Sequence, residues 1–144
     1  MEKTKTHKQL FSTPDSVTSG VIHFWGFLLA IAGTAVLIVF TALRGADPWK
    51  IVSFCIYGGS LIMLYGASAA YHTFYVSERV HRALRKLDHS MIFFLIAGTY
   101  TPFCLVTLNG AVGWTLLTIV WTLAIVGIII KICWIDGPKW VPKP

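Results

Sequence analysis

The sequence predicts an all-α integral membrane protein with four transmembrane helices. Of its 144 residues, 56% are hydrophobic and only 12% are charged, whereas about 25% of the residues of an ordinary soluble domain are charged. The mean hydropathy is +0.69. A soluble fold of this size could not bury so much apolar surface. The composition therefore excludes a disordered chain, a secreted disulfide scaffold and most cytosolic enzymes.

Charged residues divide the chain into three long uncharged runs, 16–43, 51–77 and 89–130. A membrane-spanning helix needs about 20 apolar residues, so each of the first two runs fits one helix. The third run is too long for one helix, and the turn-forming pair Asn109-Gly110 divides it. The predicted spans are 20–43, 49–74, 84–108 and 113–134, between an N-terminal segment, 1–19, and a tail, 135–144.

The basic residues predict the orientation of these spans. Four spans place the N-terminal segment, the second loop and the tail on one side of the membrane. That side holds every Lys and Arg except Arg44 and Lys50. Loops rich in Lys and Arg face the cytoplasm, so we expect a multi-pass protein of the cell membrane with both termini cytoplasmic. Membrane topology thus accounts for the net charge of +6, with the lipid bilayer as partner and no nucleic acid.

Several polar residues inside the spans are not explained by membrane insertion, because an ionisable group there is costly. Ser68 and His72 are four residues apart, hence on one face of the second helix. Asp88 and His89 enter the third span from the same edge, and His23 lies near the start of the first. Residues from three helices thus lie at similar depth, which predicts a shared site.

Each of these residues also has a simpler interpretation. His23 and His89 can be interfacial or hydrogen-bonded histidines. Asp88 can pair with Arg85 or cap its helix, and the Ser68 hydroxyl can bond to a carbonyl one turn earlier. In the functional interpretation, histidine and carboxylate are zinc ligands, and a serine can orient a water or a neighbouring ligand.

Three stretches of the sequence resemble the bacterial hemolysin III family. They are HFWGFLLAIAG from His23, SAAYH from Ser68 to His72, and LDHSMIFFLIAGTYTPF from Leu87 to Phe103. That family belongs to a superfamily with the adiponectin and progestin receptors and the alkaline ceramidases. The likeness covers residues 17–134.

The resemblance implies a seven-helix bundle, of which the four spans form the first part, with a zinc site near the cytoplasmic leaflet. It implies that His72 is a direct zinc ligand and that Asp88 and Ser68 hold the zinc-bound water. Asp88 is also the carboxylate that could serve as a second ligand. Characterised relatives hydrolyse amide bonds in lipids such as ceramides, which suits a metal-activated water. The implied cofactor is Zn²⁺ and the implied substrate is a lipid.

The sequence departs from the family pattern in one respect. The family's last helix carries a His-x-x-x-His pair that completes the zinc shell, and no such pair occurs here. A catalytic zinc normally keeps three protein ligands. We therefore expect a chain truncated after the fourth helix, with an incomplete site and no activity alone. The remaining C-terminal helices or a second copy would have to supply the other ligands.

Three functions are compatible with these features. The first is a zinc-dependent membrane hydrolase of the lipid amidase type. The second is a non-enzymatic receptor-like or membrane-homeostasis protein with a structural metal site. The third is a pore-forming haemolysin, or cytolysin. The third is physically the weakest, because a secreted toxin must first be soluble and these spans are too apolar.

Overall fold

The protein is described here by a computed structural model that covers residues 14–45, 47–74 and 77–134. Within these ranges all regular structure is helical. The helices are α1 (Pro14–Leu43), α2 (Pro48–Thr73), α3 (Glu78–Pro102), a π-helix (Phe103–Leu108) that continues α3, and α4 (Gly110–Trp134). Four of the helical segments are long and apolar enough to cross a membrane. The predicted all-α membrane fold with four spans is therefore confirmed.

The helices begin earlier than the sequence predicted. α1 begins at Pro14 rather than at residue 20, α3 at Glu78 rather than 84, and α4 at Gly110 rather than 113. At α1 and α3 the uncharged run marks only the part of the helix that lipid surrounds, and polar residues begin the helix before it, whereas α4 begins directly after the turn at Asn109. At α3 the Ser77 side chain accepts a hydrogen bond of 3.3 Å from the backbone N–H of Val80, which caps the earlier start. Residues 1–13 and the tail, 135–144, lie outside the described residues.

The break between the third and fourth spans lies at Asn109. The α-helix ends at Pro102, and the chain continues as the π-helix. Pro102 has no backbone N–H to donate, so it removes one bond of the α-helical ladder. The N–H of Asn109 donates to the carbonyl of Cys104, five residues earlier, at 3.2 Å. Asn109 and Gly110 both have positive φ, 40° and 70°, which asparagine and glycine adopt at least cost.

Adjacent helices pack in chain order, so that α2 lies between α1 and α3, and α4 packs on α3 and the π-helix. Small residues fill the contacts. Those buried on α2 and α3 include Ser53, Gly58, Ser60, Ala67, Ser68, Ala69, Ser90, Ala97 and Gly98. Large apolar side chains on all four helices are exposed on the outer surface. This arrangement is typical of membrane helices, which approach closely through small residues and present large ones to lipid.

The buried hydroxyl groups are satisfied mainly within their own helices. Ser60 donates to the carbonyl of Tyr57 at 2.7 Å, and Thr101 donates to that of Ala97 at 2.8 Å. Thr101 also accepts a hydrogen bond of 3.1 Å from the indole N–H of Trp121, which links α4 to α3. Such bonds matter in lipid because no water is present to replace them.

Candidate functional site

The site is built around His72, at the end of α2. Ser68 lies one turn earlier on the same face and is 6% exposed. α1 passes close to this turn: a Cβ added to Gly20 would lie 3.4 Å from the Cβ of His72. An added methyl group would be in ordinary contact there, so α1 passes about one methyl group away from the last turn of α2.

The close approach brings His23 of α1 against His72. The two imidazole rings are nearly parallel, with an angle of 12° and a centroid distance of 5.5 Å. The His23 ring also lies 6.1 Å from that of Tyr65. The Nδ1 atom of His23 is buried and has no hydrogen-bond partner among the described residues. The structure therefore places His23 beside His72, one of the residues of the predicted site.

Asp88 reaches the same region from α3. It lies seven residues after His81, hence on the same face of α3, and His81 stacks on Tyr71, whose ring contacts that of His72. One carboxylate oxygen lies 3.7 Å from Nδ1 of His89, and the Asp88 side chain is 16% exposed. The ion-pair contact that the structure records for Asp88 is thus with the next residue, His89. The geometry is therefore compatible with Asp88 facing His72, as the sequence suggested.

His89 is positioned differently from the other residues of the predicted cluster. Its Nδ1 lies 2.9 Å from the backbone carbonyl of Arg85, one turn earlier, and its side chain is 41% exposed. An imidazole that bonds to its own helix and faces outward fits the simpler interpretation, a hydrogen-bonded histidine near the helix end.

Ser68 differs from the other buried serines. Ser53, Ser60 and Ser90 each donate to a carbonyl three or four residues earlier. Ser68 makes no such bond with any residue the structure describes. The simpler interpretation of Ser68, a hydrogen bond from its hydroxyl to the preceding turn, therefore does not apply.

Two aromatic residues that the sequence did not single out extend the site. The Tyr71 ring lies 4.9 Å from the His72 ring and 4.7 Å from the His81 ring, with which it stacks. His23, His72, Tyr71 and His81 thus form a row of rings across α1, α2 and α3. Tyr71 lies within an apolar run, and the sequence predicted His81 to lie in the loop between the second and third spans. No pattern in the sequence could have connected them.

A zinc ion needs several suitable ligands arranged around one point. His72 and Asp88 are suitable ligand types. However, no group of three His, Cys, Asp or Glu side chains among the described residues is arranged to hold a metal ion. These residues alone therefore do not fit a three-ligand zinc site, and a zinc ion here would need further ligands.

Four membrane-crossing helices that gather histidine, serine and carboxylate near one end define a multi-pass helical membrane protein. The model of the Haemolysin-III related family matches residues 11–143. The chain belongs to this family.

Two curated relatives support the assignment. A hemolysin-3 homolog of Bacillus subtilis is 43% identical over 123 residues, which cover 85% of this chain and 57% of the relative. Hemolysin-3 of Bacillus cereus is 43% identical over 118 residues, covering 82% of this chain and 53% of the relative. The chain thus spans about half the length of the curated relatives it matches. No solved structure matches it significantly.

Proposed function

We propose that this chain contributes one part of the site of a zinc-dependent membrane hydrolase that cleaves amide bonds in lipids. The observation that carries the proposal is the convergence on His72: Asp88 lies on the face of α3 that packs against α2, and Ser68 lies one turn away. Ionisable side chains that meet at one depth within a membrane protein indicate a functional site.

Each residue has a role suited to its chemistry. The imidazole of His72 offers a nitrogen ligand to zinc, and the carboxylate of Asp88 is available either as a second ligand or to hold and deprotonate a water. The Ser68 hydroxyl can orient that water, because it is not bonded to the preceding turn. The described residues lack a third ligand, so the remaining C-terminal helices or a second copy of the chain would complete the site.

Zinc content and lipid hydrolysis test this proposal together. Purified in detergent, the 144-residue chain should carry well under one zinc ion, because His72 and Asp88 do not supply three ligands. Co-expression with the part of the Bacillus subtilis relative that this chain does not match should raise zinc binding to one ion per complex. That complex should hydrolyse a short-chain ceramide, and a chelator should stop the reaction.

His72→Ala is the decisive variant and His89→Ala the matched control. In the complex, zinc and hydrolysis should both be lost with His72→Ala and kept with His89→Ala, since His89 bonds to its own helix. Stoichiometric zinc without hydrolysis would instead support the receptor-like alternative. Stoichiometric zinc in the 144-residue chain alone, lost on His72→Ala, would contradict the need for outside ligands.

We also propose that both ends of the chain are cytoplasmic and that the chain lies in the cell membrane, because the basic residues are so unevenly distributed. In a variant whose native cysteines are replaced, a membrane-impermeant maleimide added to intact cells should label Arg44→Cys. It should label Lys5→Cys only after the cells are opened. Labelling of position 5 in intact cells would reverse the orientation.

A further inference from the structure

α3 carries a second group of charged residues on the side opposite the candidate site. Arg79, Arg82 and Lys86 line an open groove of about 470 Å³, together with Glu78 and Ala83. The three basic residues follow a spacing of three and four, which places them on one side of a helix. We call this surface the basic groove. Its lining has a net positive charge.

The basic groove faces away from the candidate site around His72. Successive helical residues are turned by about 100°, so His81, Arg85 and Asp88 fall on the other side of α3 from Arg79, Arg82 and Lys86. The contacts agree, because His81 stacks on Tyr71 of α2. Arg79 and Arg82 are exposed. The groove is therefore separate from the proposed hydrolytic site.

The helix geometry places the groove at the depth of the lipid headgroups. The uncharged residues 89–108 would extend about 30 Å as a helix, which matches the thickness of the hydrocarbon core. Along the axis Lys86, Arg82 and Arg79 lie about 4, 10 and 15 Å beyond residue 89. The headgroup layer is about 5–8 Å deep on each side of the core, so Lys86 lies within it and the long side chains of the two arginines approach it from its outer edge.

We propose that the basic groove binds the phosphate of an anionic lipid headgroup in the leaflet that surrounds this end of α3. A guanidinium group matches phosphate with two parallel hydrogen bonds, and a nearby lysine adds a point charge. Arg79 and Arg82 form no ion pair with the residues that the structure describes. Both are therefore available to a ligand. The membrane supplies that ligand at the depth where the groove lies.

Spin-labelled lipids can test this directly. The full chain is reconstituted in phosphatidylcholine nanodiscs containing a trace of spin-labelled phosphatidylglycerol or spin-labelled phosphatidylcholine. Electron paramagnetic resonance then gives the relative association constant of the two lipids with the protein. We expect the unchanged protein to prefer phosphatidylglycerol. Each of the changes Arg79→Gln and Arg82→Gln should lower this preference about 5-fold if the arginine contacts phosphate.

The matched control removes the same charge at the other end of the bundle. Arg44→Gln with Lys50→Gln should leave the preference unchanged, and Arg79→Lys with Arg82→Lys should keep most of it. Circular dichroism verifies that each variant is folded. An unchanged preference in the Arg79→Gln, Arg82→Gln variant would overturn the proposal, as would an equal loss in the control. Displacement of phosphatidylglycerol by inorganic phosphate would assign the groove to free anions and overturn the lipid assignment.

Discussion

Asp88→Asn should lower lipid amide hydrolysis by about 10²–10⁴-fold, the usual contribution of a positioned general base. Asparagine keeps the shape of the side chain but cannot accept a proton from the attacking water. The measurement uses the complex described above, with a ceramide substrate at saturating concentration. Because a general base acts in the chemical step and not in substrate binding, the loss should appear in kcat.

Asp47→Asn provides the matched control for this prediction. Asp47 caps α2 through a bond of 3.2 Å from the backbone N–H of Trp49, and asparagine caps helices equally well. The same chemical change at the other end of the bundle should therefore leave hydrolysis unchanged. If Asp88→Asn also left hydrolysis unchanged, Asp88 would have no part in proton transfer, and its assignment as a catalytic residue would be wrong.

Gly98→Ala should be about 1–3 kcal/mol less stable than Gly59→Ala, because the added methyl group overpacks a tight contact. A Cβ on Gly98 would lie 2.7 Å from the Cβ of Ser60, would overlap the Ser60 hydroxyl, and would lie 3.5 Å from the carbonyl of Ile56. A Cβ on Gly59 would have no atom within 4 Å. Both variants gain the same helix propensity, because each replaces a helical glycine by alanine. The difference between their unfolding free energies therefore reports on the contact between α2 and α3. Denaturant titration in detergent measures it.

Removing the opposing side chain tests the cause of that loss. Ser60→Gly eliminates both the hydroxyl and the Cβ that the new methyl group would meet. In a double-mutant cycle, Gly98→Ala combined with Ser60→Gly should be less destabilised than the sum of the two single changes, by about 0.5–3 kcal/mol. Strict additivity would show that this contact does not limit the approach of α2 and α3.

The sequence alone determined the fold class and the number of spans. In a membrane, the backbone hydrogen-bonding groups of such long uncharged runs can be satisfied only if the runs are helical. The lengths of the three runs, 16–43, 51–77 and 89–130, therefore predicted the four observed helices without any knowledge of packing. The same reasoning could not find the helix starts. Lipid selects apolar residues, whereas backbone caps such as Ser77 decide where a helix begins.

The tertiary structure decided which side chains meet. The sequence placed Ser68, His72, Asp88 and His23 at one depth, because rise per residue fixes depth along a helix. It could not predict how each helix is rotated about its own axis, and that rotation decides which side chains come into contact. The close approach of α1 at Gly20 brings the His23 ring to His72, and the packing of α3 on α2 brings His81 to Tyr71. Packing of small residues between helices sets these rotations, and it involves residues far apart in the chain.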